Sequence, residues 1–166
     1  MDGAGIIRFV LTNLPAFLLV LAFVIATLST GIPRTAERYL SWLLLLAVGC
    51  EMVWAGFFHV FFPETAASFI NWQVSPFQFE IGVADLSIGL VAIASFWRSL
   101  EFKSAVVAYV VLFYIGAAID HVHQAQVAGN FSPGNFGLLL LMTVAKVLLL
   151  TGLLWEAWRE RERIDR

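Results

Sequence analysis

The amino-acid sequence predicts an all-α integral membrane protein, a bundle of five transmembrane helices forming one domain over residues 1–166. Two observations support this fold class. Hydrophobic residues fill 60% of the 166 positions and charged residues only 13%, whereas soluble domains are about 45–50% apolar and about 25% charged. Five stretches are also apolar over the roughly 20 residues that a membrane span needs. The composition argues against a soluble enzyme, and ten Lys and Arg against twelve Asp and Glu leave no basic face for nucleic acid.

The predicted spans cover residues 8–30, 39–62, 77–97, 104–126 and 136–158. Runs such as LLLLAVG are apolar on every face, so they lack the alternation of membrane β-strands. The first apolar run is too long for the core of a cleavable signal, and no A-x-A-like site follows it. The separators between the spans are short, so neighbouring helices are expected to run antiparallel.

Two shorter segments are predicted outside the spans. Residues 64–72 are amphipathic enough to lie on the membrane surface, with Phe69, Ile70 and Trp72 as apolar anchors. Residues 159–166 alternate in charge, which is typical of a solvated helical extension, and they form the predicted cytoplasmic tail.

The basic residues predict the orientation of the bundle. Eight of them fall in the first loop, the third loop and the tail, whereas the N-terminal segment holds only Arg8 and the other two loops hold none. Because cytoplasmic loops are enriched in Lys and Arg, the N-terminus is expected outside and the C-terminus in the cytoplasm. The eight residues are Arg34, Arg38, Arg98, Lys103, Arg159, Arg161, Arg163 and Arg166.

Ionisable residues inside the spans are the candidate functional residues, because each costs about 2.5–3.5 kcal/mol on insertion scales. Three of them, His59, Glu80 and His121, lie about 6–8 Å below the outer ends of three different spans. Imidazoles and a carboxylate from separate helices can hold a metal in a bundle core. The sequence therefore predicts a metal site with these ligands, and Asp120, His123 and Asp85 are its alternates.

Iron, zinc, manganese and copper all suit such a donor set, and the sequence leaves open whether the protein is a metal-dependent membrane oxidoreductase. A haem held by two histidines, His59 with His121 or His123, is one alternative. A proton or ion path and a polar network that only fastens helices are two others. If the polar network only fastens helices, the protein is an accessory subunit without catalysis.

Glu51 and Lys146 are expected near the membrane midplane, about 16–20 Å from the cytoplasmic side. Because intramembrane charges usually pair, the two are predicted to form a midplane charge pair, with a proton relay as the alternative role. In the transporter hypothesis, Glu51, Lys146, Glu80 and Asp85 line a path across the bilayer. Five spans in one chain are few to enclose such a path, so a homo-oligomer would be required. The lipid bilayer and a larger membrane complex are the other expected partners.

Small residues predict close helix packing in the third and fourth spans. The third contains Gly82 and Gly89, and the fourth contains Gly116 followed by two alanines. Such residues let two helix backbones approach each other.

Four stretches carry a resemblance: His59 to Pro63, Trp72 to Gly82, Gly116 to His121 and Asn130 to Asn135. They resemble an uncharacterised family of small prokaryotic integral membrane proteins with the motifs H-x-x-x-P, W-x-x-S-P-F-Q-x-E-x-G, G-A-A-x-x-H and N-x-x-P-G-N. His59, Glu80, His121 and Asn135 match, whereas Asp85 and Asp120 depart from the pattern. The resemblance implies a prokaryotic cytoplasmic (inner) membrane protein and supplies no activity.

Overall fold

The computed structural model describes residues 9, 12–32 and 35–164, and every regular element in these ranges is helical. The helices are α1 (Leu14–Leu28), α2 (Thr35–Phe61), α3 (Pro63–Ile70), α4 (Phe77–Ser95), α5 (Leu100–Val127) and α6 (Leu138–Ile164). Four of them, α2, α4, α5 and α6, are long and apolar enough to cross a membrane. The all-α class and the apolar spans that the sequence predicts are therefore present.

The first predicted span differs most from its expected bounds. Helix α1 has 15 residues and is shorter than the roughly 20 that a span needs. Residues 8, 10 and 11 of that predicted span lie outside the described residues, as do Arg34 and the last two residues of the tail. The other spans begin or end within a few residues of the prediction, except that α6 continues to Ile164. The short helix α3 occupies most of the predicted surface segment.

Helix α2 is the centre of the bundle, because α1, α3, α4 and α6 all pack against it. Its inward side chains Leu40, Leu43, Leu44, Ala47 and Val48 are fully buried. In lipid the hydrophobic effect does not drive helices together, so the dispersion contacts of this dense core contribute most of the attraction.

A wider helical turn interrupts α2 just before Glu51. Residues Leu43–Cys50 form a π-helix, and the ordinary α-helix resumes at Glu51. Because π-helical turns shift the rotation of everything that follows and are frequent at functional sites, this segment sets the direction in which Glu51 points. The run is apolar on every face, so its hydrophobic pattern gives no sign of the change.

Glycines bring α2 and α4 into backbone contact. A Cβ atom added to Gly56 would lie 2.6 Å from the carbonyl oxygen of Gly82, and one added to Gly89 would lie 2.8 Å from that of Gly49. The close approach predicted for Gly82 and Gly89 is confirmed. For Gly116 on α5 the prediction is wrong, because no neighbouring atom lies within 4 Å of its added Cβ.

Ion pairs and polar contacts join the helices at one end of the bundle, called the basic end here and defined by Lys103, Glu37 and residues 156–164. Lys103 Nζ lies 2.8 Å from Glu37 Oε1 in a buried pair. Glu160 accepts a 3.0 Å hydrogen bond from the Ala36 amide, and Arg161 pairs with Glu101. The end of α6 is therefore docked on α2 and α5, which corrects the expectation of a merely solvated extension.

Replacing Gly56 with alanine is expected to lower the free energy of unfolding by about 1–3 kcal/mol, because the new methyl group overlaps a backbone oxygen that cannot move alone. Unfolding of the purified protein in detergent measures the change. Gly152→Ala on α6 is the matched control, since nothing lies within 4 Å of its added Cβ, and it should leave stability unchanged or slightly higher. Equal effects of the two substitutions would contradict the close α2–α4 contact.

Candidate functional site

Four helices each contribute one ionisable side chain to a buried group, called the core charge cluster here: Glu51 of α2, Asp85 of α4, Tyr114 of α5 and Lys146 of α6. Each of the four residues is at most 7% exposed. Lys146 Nζ forms an ion pair with Glu51 Oε1 and lies 3.3 Å from the Tyr114 hydroxyl oxygen. The same ammonium lies 4.6 Å from the centroid of the Tyr114 ring, so the tyrosine contacts it with both its hydroxyl group and its ring face.

Asp85 is the second carboxylate of the cluster. The glycine contacts place Asp85 opposite Gly56, which meets Gly82 and Leu86, and Glu51 opposite Gly89, which meets Gly49 and Val53. The two carboxylates therefore belong to residues about 6–8 Å apart along the helix axes, roughly one helical turn. The charge of Glu51 acts on Asp85, and the charges of both act on Tyr114. Among the described residues, no basic side chain forms an ion pair with Asp85.

The cluster has more acceptors than donors. Glu51 Oε2 is buried and has no hydrogen-bond partner, because Lys146 binds only the other oxygen. Two ionised carboxylates and one ammonium in this core would leave one uncompensated negative charge, which is expensive in a low-dielectric interior. One proton on a carboxylate oxygen would remove that charge, so the arrangement can hold an exchangeable proton.

The sequence and the structure divide these four residues differently. Glu51 and Lys146 were singled out as a pair, and the structure places them in contact. Asp85 was grouped with the outer residues as an alternate metal ligand, whereas the structure places it in the core charge cluster. Tyr114 was missed. The presence of this tyrosine in an otherwise apolar stretch of the fourth span could have indicated its role, because a buried hydroxyl group needs a hydrogen-bond partner.

The side chains of the three predicted metal ligands lie in different surroundings. Glu80 is exposed on α4, His121 is half-buried and bonded through Nδ1 to Asn135, and the Nδ1 atom of His59 is buried without a partner. The alternates Asp120 and His123 are exposed on α5. Within the described ranges, no three His, Cys, Asp or Glu residues are grouped so that they could hold a metal ion. Similar depth along three helices did not bring the side chains together, because each helix faces its neighbours with a different side.

His121 instead belongs to an amide network at the other end of the bundle, called the loop end here and defined by residues 70–76 and 128–137. Asn135 is fully buried, and its Nδ2 atom donates to the carbonyl oxygens of His121 at 3.0 Å and Asn130 at 2.9 Å. Its Oδ1 atom accepts from Trp72 Nε1 at 2.9 Å and lies 2.8 Å from His121 Nδ1. We assign the imidazole proton to Nδ1, because Oδ1 can only accept.

A second asparagine joins the end of α3 to the loop that follows α5. Asn130 Nδ2 donates to the carbonyl oxygens of Ile70 at 2.9 Å and Asn71 at 3.1 Å. Asn71 ends α3 in the left-handed region with φ of 56°, which asparagine tolerates better than most residues. The conspicuous polar residues of this end thus satisfy backbone groups of the loops, which is a fastening role.

A comparison with protein families finds one match: the model described as Family of unknown function (DUF6790) covers residues 12–163. No curated protein and no solved structure matches the chain.

The ion pair at the centre of the cluster predicts a non-additive pattern of stabilities. Glu51→Gln and Lys146→Met are each expected to lower the free energy of unfolding by about 3–5 kcal/mol, because each leaves a buried charge without its partner. The double variant should lose less than the sum of the two, since neither charge remains. Unfolding of all four proteins in one detergent measures the coupling, and strictly additive losses would show that the two side chains act independently.

Proposed function

Because the chain belongs to DUF6790, a family of unknown function, we propose its function from its own geometry: it is a small membrane transporter that conducts protons or ions through the core charge cluster. The observation that carries the proposal is a pair of buried carboxylates, Glu51 and Asp85, of which only Glu51 forms an ion pair with the ammonium of Lys146. Ionisable residues inside membrane spans commonly mark proton relays and ion pathways.

The proton is the favoured cargo. The four side chains of the cluster are almost entirely enclosed, which leaves no hydration shell for a metal cation. Lys146 stabilises the ionised form of Glu51, and Asp85 lacks a basic partner among the described residues, so Asp85 carries the exchangeable proton in this proposal. The hydroxyl group of Tyr114 accepts a hydrogen bond from Lys146 and helps to hold the ammonium beside Glu51.

We further propose that α1 is the first of five spans, with the N-terminus outside and the C-terminus in the cytoplasm of a prokaryotic cell. Helix α1 packs against the central helix α2, as a membrane-embedded helix would. Lys103 and the arginines at the end of α6 lie at the basic end, which supports this end as the cytoplasmic one.

A non-catalytic accessory subunit is the second candidate. It is favoured by the amide network of Asn135 and Asn130, which only fastens the loop end, and by the ion pair of Glu51 and Lys146, which would likewise fasten helices. Among the described residues, no group of three or more potential ligands supports a metal or haem role for His59, Glu80 and His121. Transport measurements separate the first two candidates.

Purified protein reconstituted into liposomes with a trapped pH dye is expected to acidify or alkalinise the interior when a membrane potential is imposed. Asp85→Asn should reduce this flux to the level of protein-free vesicles, because the amide cannot release a proton. Glu80→Gln is the matched control, since it removes an exposed carboxylate from the same helix, and it should conduct like the unchanged protein.

Circular dichroism and gel filtration of Asp85→Asn must show the fold intact for the comparison to count. If Asp85→Glu also folds, it should retain part of the flux. Wild-type protein without flux above empty vesicles would favour the accessory subunit. An Asp85→Asn variant that conducts normally would show that Asp85 does not carry the transported proton.

The proposed orientation is tested with single cysteines in a Cys50→Ser background. An impermeant thiol reagent added to intact cells is expected to label a cysteine at Ser132, in the loop end, and to leave one at Arg163 unlabelled until the cells are opened. Labelling of both positions from outside would show that α6 does not cross the membrane and would contradict the proposed topology.

A further inference from the structure

One side of α5 is exposed along most of its length. Residues at helical spacing on this side are all solvent- or lipid-accessible in the isolated chain, and we call them the α5 outer face: Tyr109, Leu112, Gly116, Asp120, His123 and Val127. No neighbouring atom lies within 4 Å of a Cβ added to Gly116, so another backbone can approach there closely.

Asp120 and His123 are the unusual members of this face. They lie seven and four residues before Val127, the last residue of α5, which is about 10 and 6 Å along the helix axis. They are three residues apart and on the same side of the helix, yet the described residues include no hydrogen bond or ion pair to either. Polar groups of this kind on a lipid-facing side are costly unless something covers them.

We propose that a second copy of this chain covers the α5 outer face, forming a parallel two-fold dimer in which the two α5 helices contact each other. The face carries both a carboxylate and an imidazole, so it is complementary to itself under a two-fold axis. Asp120 then bonds to His123 of the partner subunit, and the reverse pair forms on the other side of the axis. The height difference between the two positions is about 4.5 Å, which these side chains can span.

An apolar groove of about 550 Å³ lies between α5 and α6 beside His123, lined by residues that include Ile119, Val122 and Val144. A lipid acyl chain can fill this groove, but it offers no hydrogen-bond partner to Asp120. The polar pair on the neighbouring α5 outer face therefore favours a protein partner over lipid.

Cysteine cross-linking tests the dimer in liposomes that contain only this protein, in a Cys50→Ser background. Leu112→Cys, 70% exposed on the α5 outer face, is expected to give a disulfide-linked dimer on mild oxidation. Leu90→Cys is the matched control, because Leu90 is 60% exposed on α4 and away from that face. Cross-linking that is equal at the two positions, or absent at Leu112, would overturn the proposal.

The charge arrangement has its own readout in the same assay. Asp120→Asn or His123→Ala should cause a marked loss of the Leu112 cross-link, whereas exchanging the two residues, Asp120→His with His123→Asp, should restore it. Cross-linking that is unaffected by the single changes would show that apolar contact alone holds the two α5 helices together, and would overturn the paired arrangement. Neither readout depends on transport, so the dimer and the proposed function can fail separately.

Discussion

An ammonium group in the middle of an apolar helix bundle must have an anion beside it, and the pair of Lys146 and Glu51 meets this requirement. Lys146 is only 1% exposed, so water cannot replace the carboxylate. The pair joins α6 to α2, the helix against which α1, α3 and α4 also pack. It therefore fixes the rotation of the two helices about their axes, and the rest of the core is arranged around that contact.

The close approach of α2 and α4 adds a second acidic group to this centre. With Gly56 against Gly82 and Gly49 against Gly89, the two backbones touch, and Asp85 lies about one helical turn from the level of Glu51. Side chains larger than hydrogen at these positions would separate the helices and remove Asp85 from the cluster. The packing of glycines and the electrostatics of the carboxylates thus depend on each other, which is why a packing feature of the bundle bears on its proposed chemistry.

The two ends of the bundle are held by different interactions. Charged pairs such as Lys103 with Glu37 join the helices at the basic end, and neutral amides such as Asn135 join the loops at the other. The amide groups of Asn130 and Asn135 do not titrate, so the hydrogen bonds that they donate to backbone carbonyl oxygens do not depend on the protonation of the core carboxylates.

The sequence by itself determined the class of the protein, most helix bounds and the partnership of its two deepest charges. Apolar length and charge cost are local properties, and Lys146 is the one lysine or arginine placed near the middle of a predicted span, as Glu51 is. The predicted convergence of His59, Glu80 and His121 rests on equal depth, ligand chemistry and the cost of polar groups in a membrane. None of these specifies which side of a helix faces inward. The tertiary structure decided that point: the π-helical turn of Leu43–Cys50 and the glycine contacts set the rotation of α2 against α4. Those rotations place Asp85 in the core and His121 against Asn135, because the direction of a side chain depends on how whole helices pack.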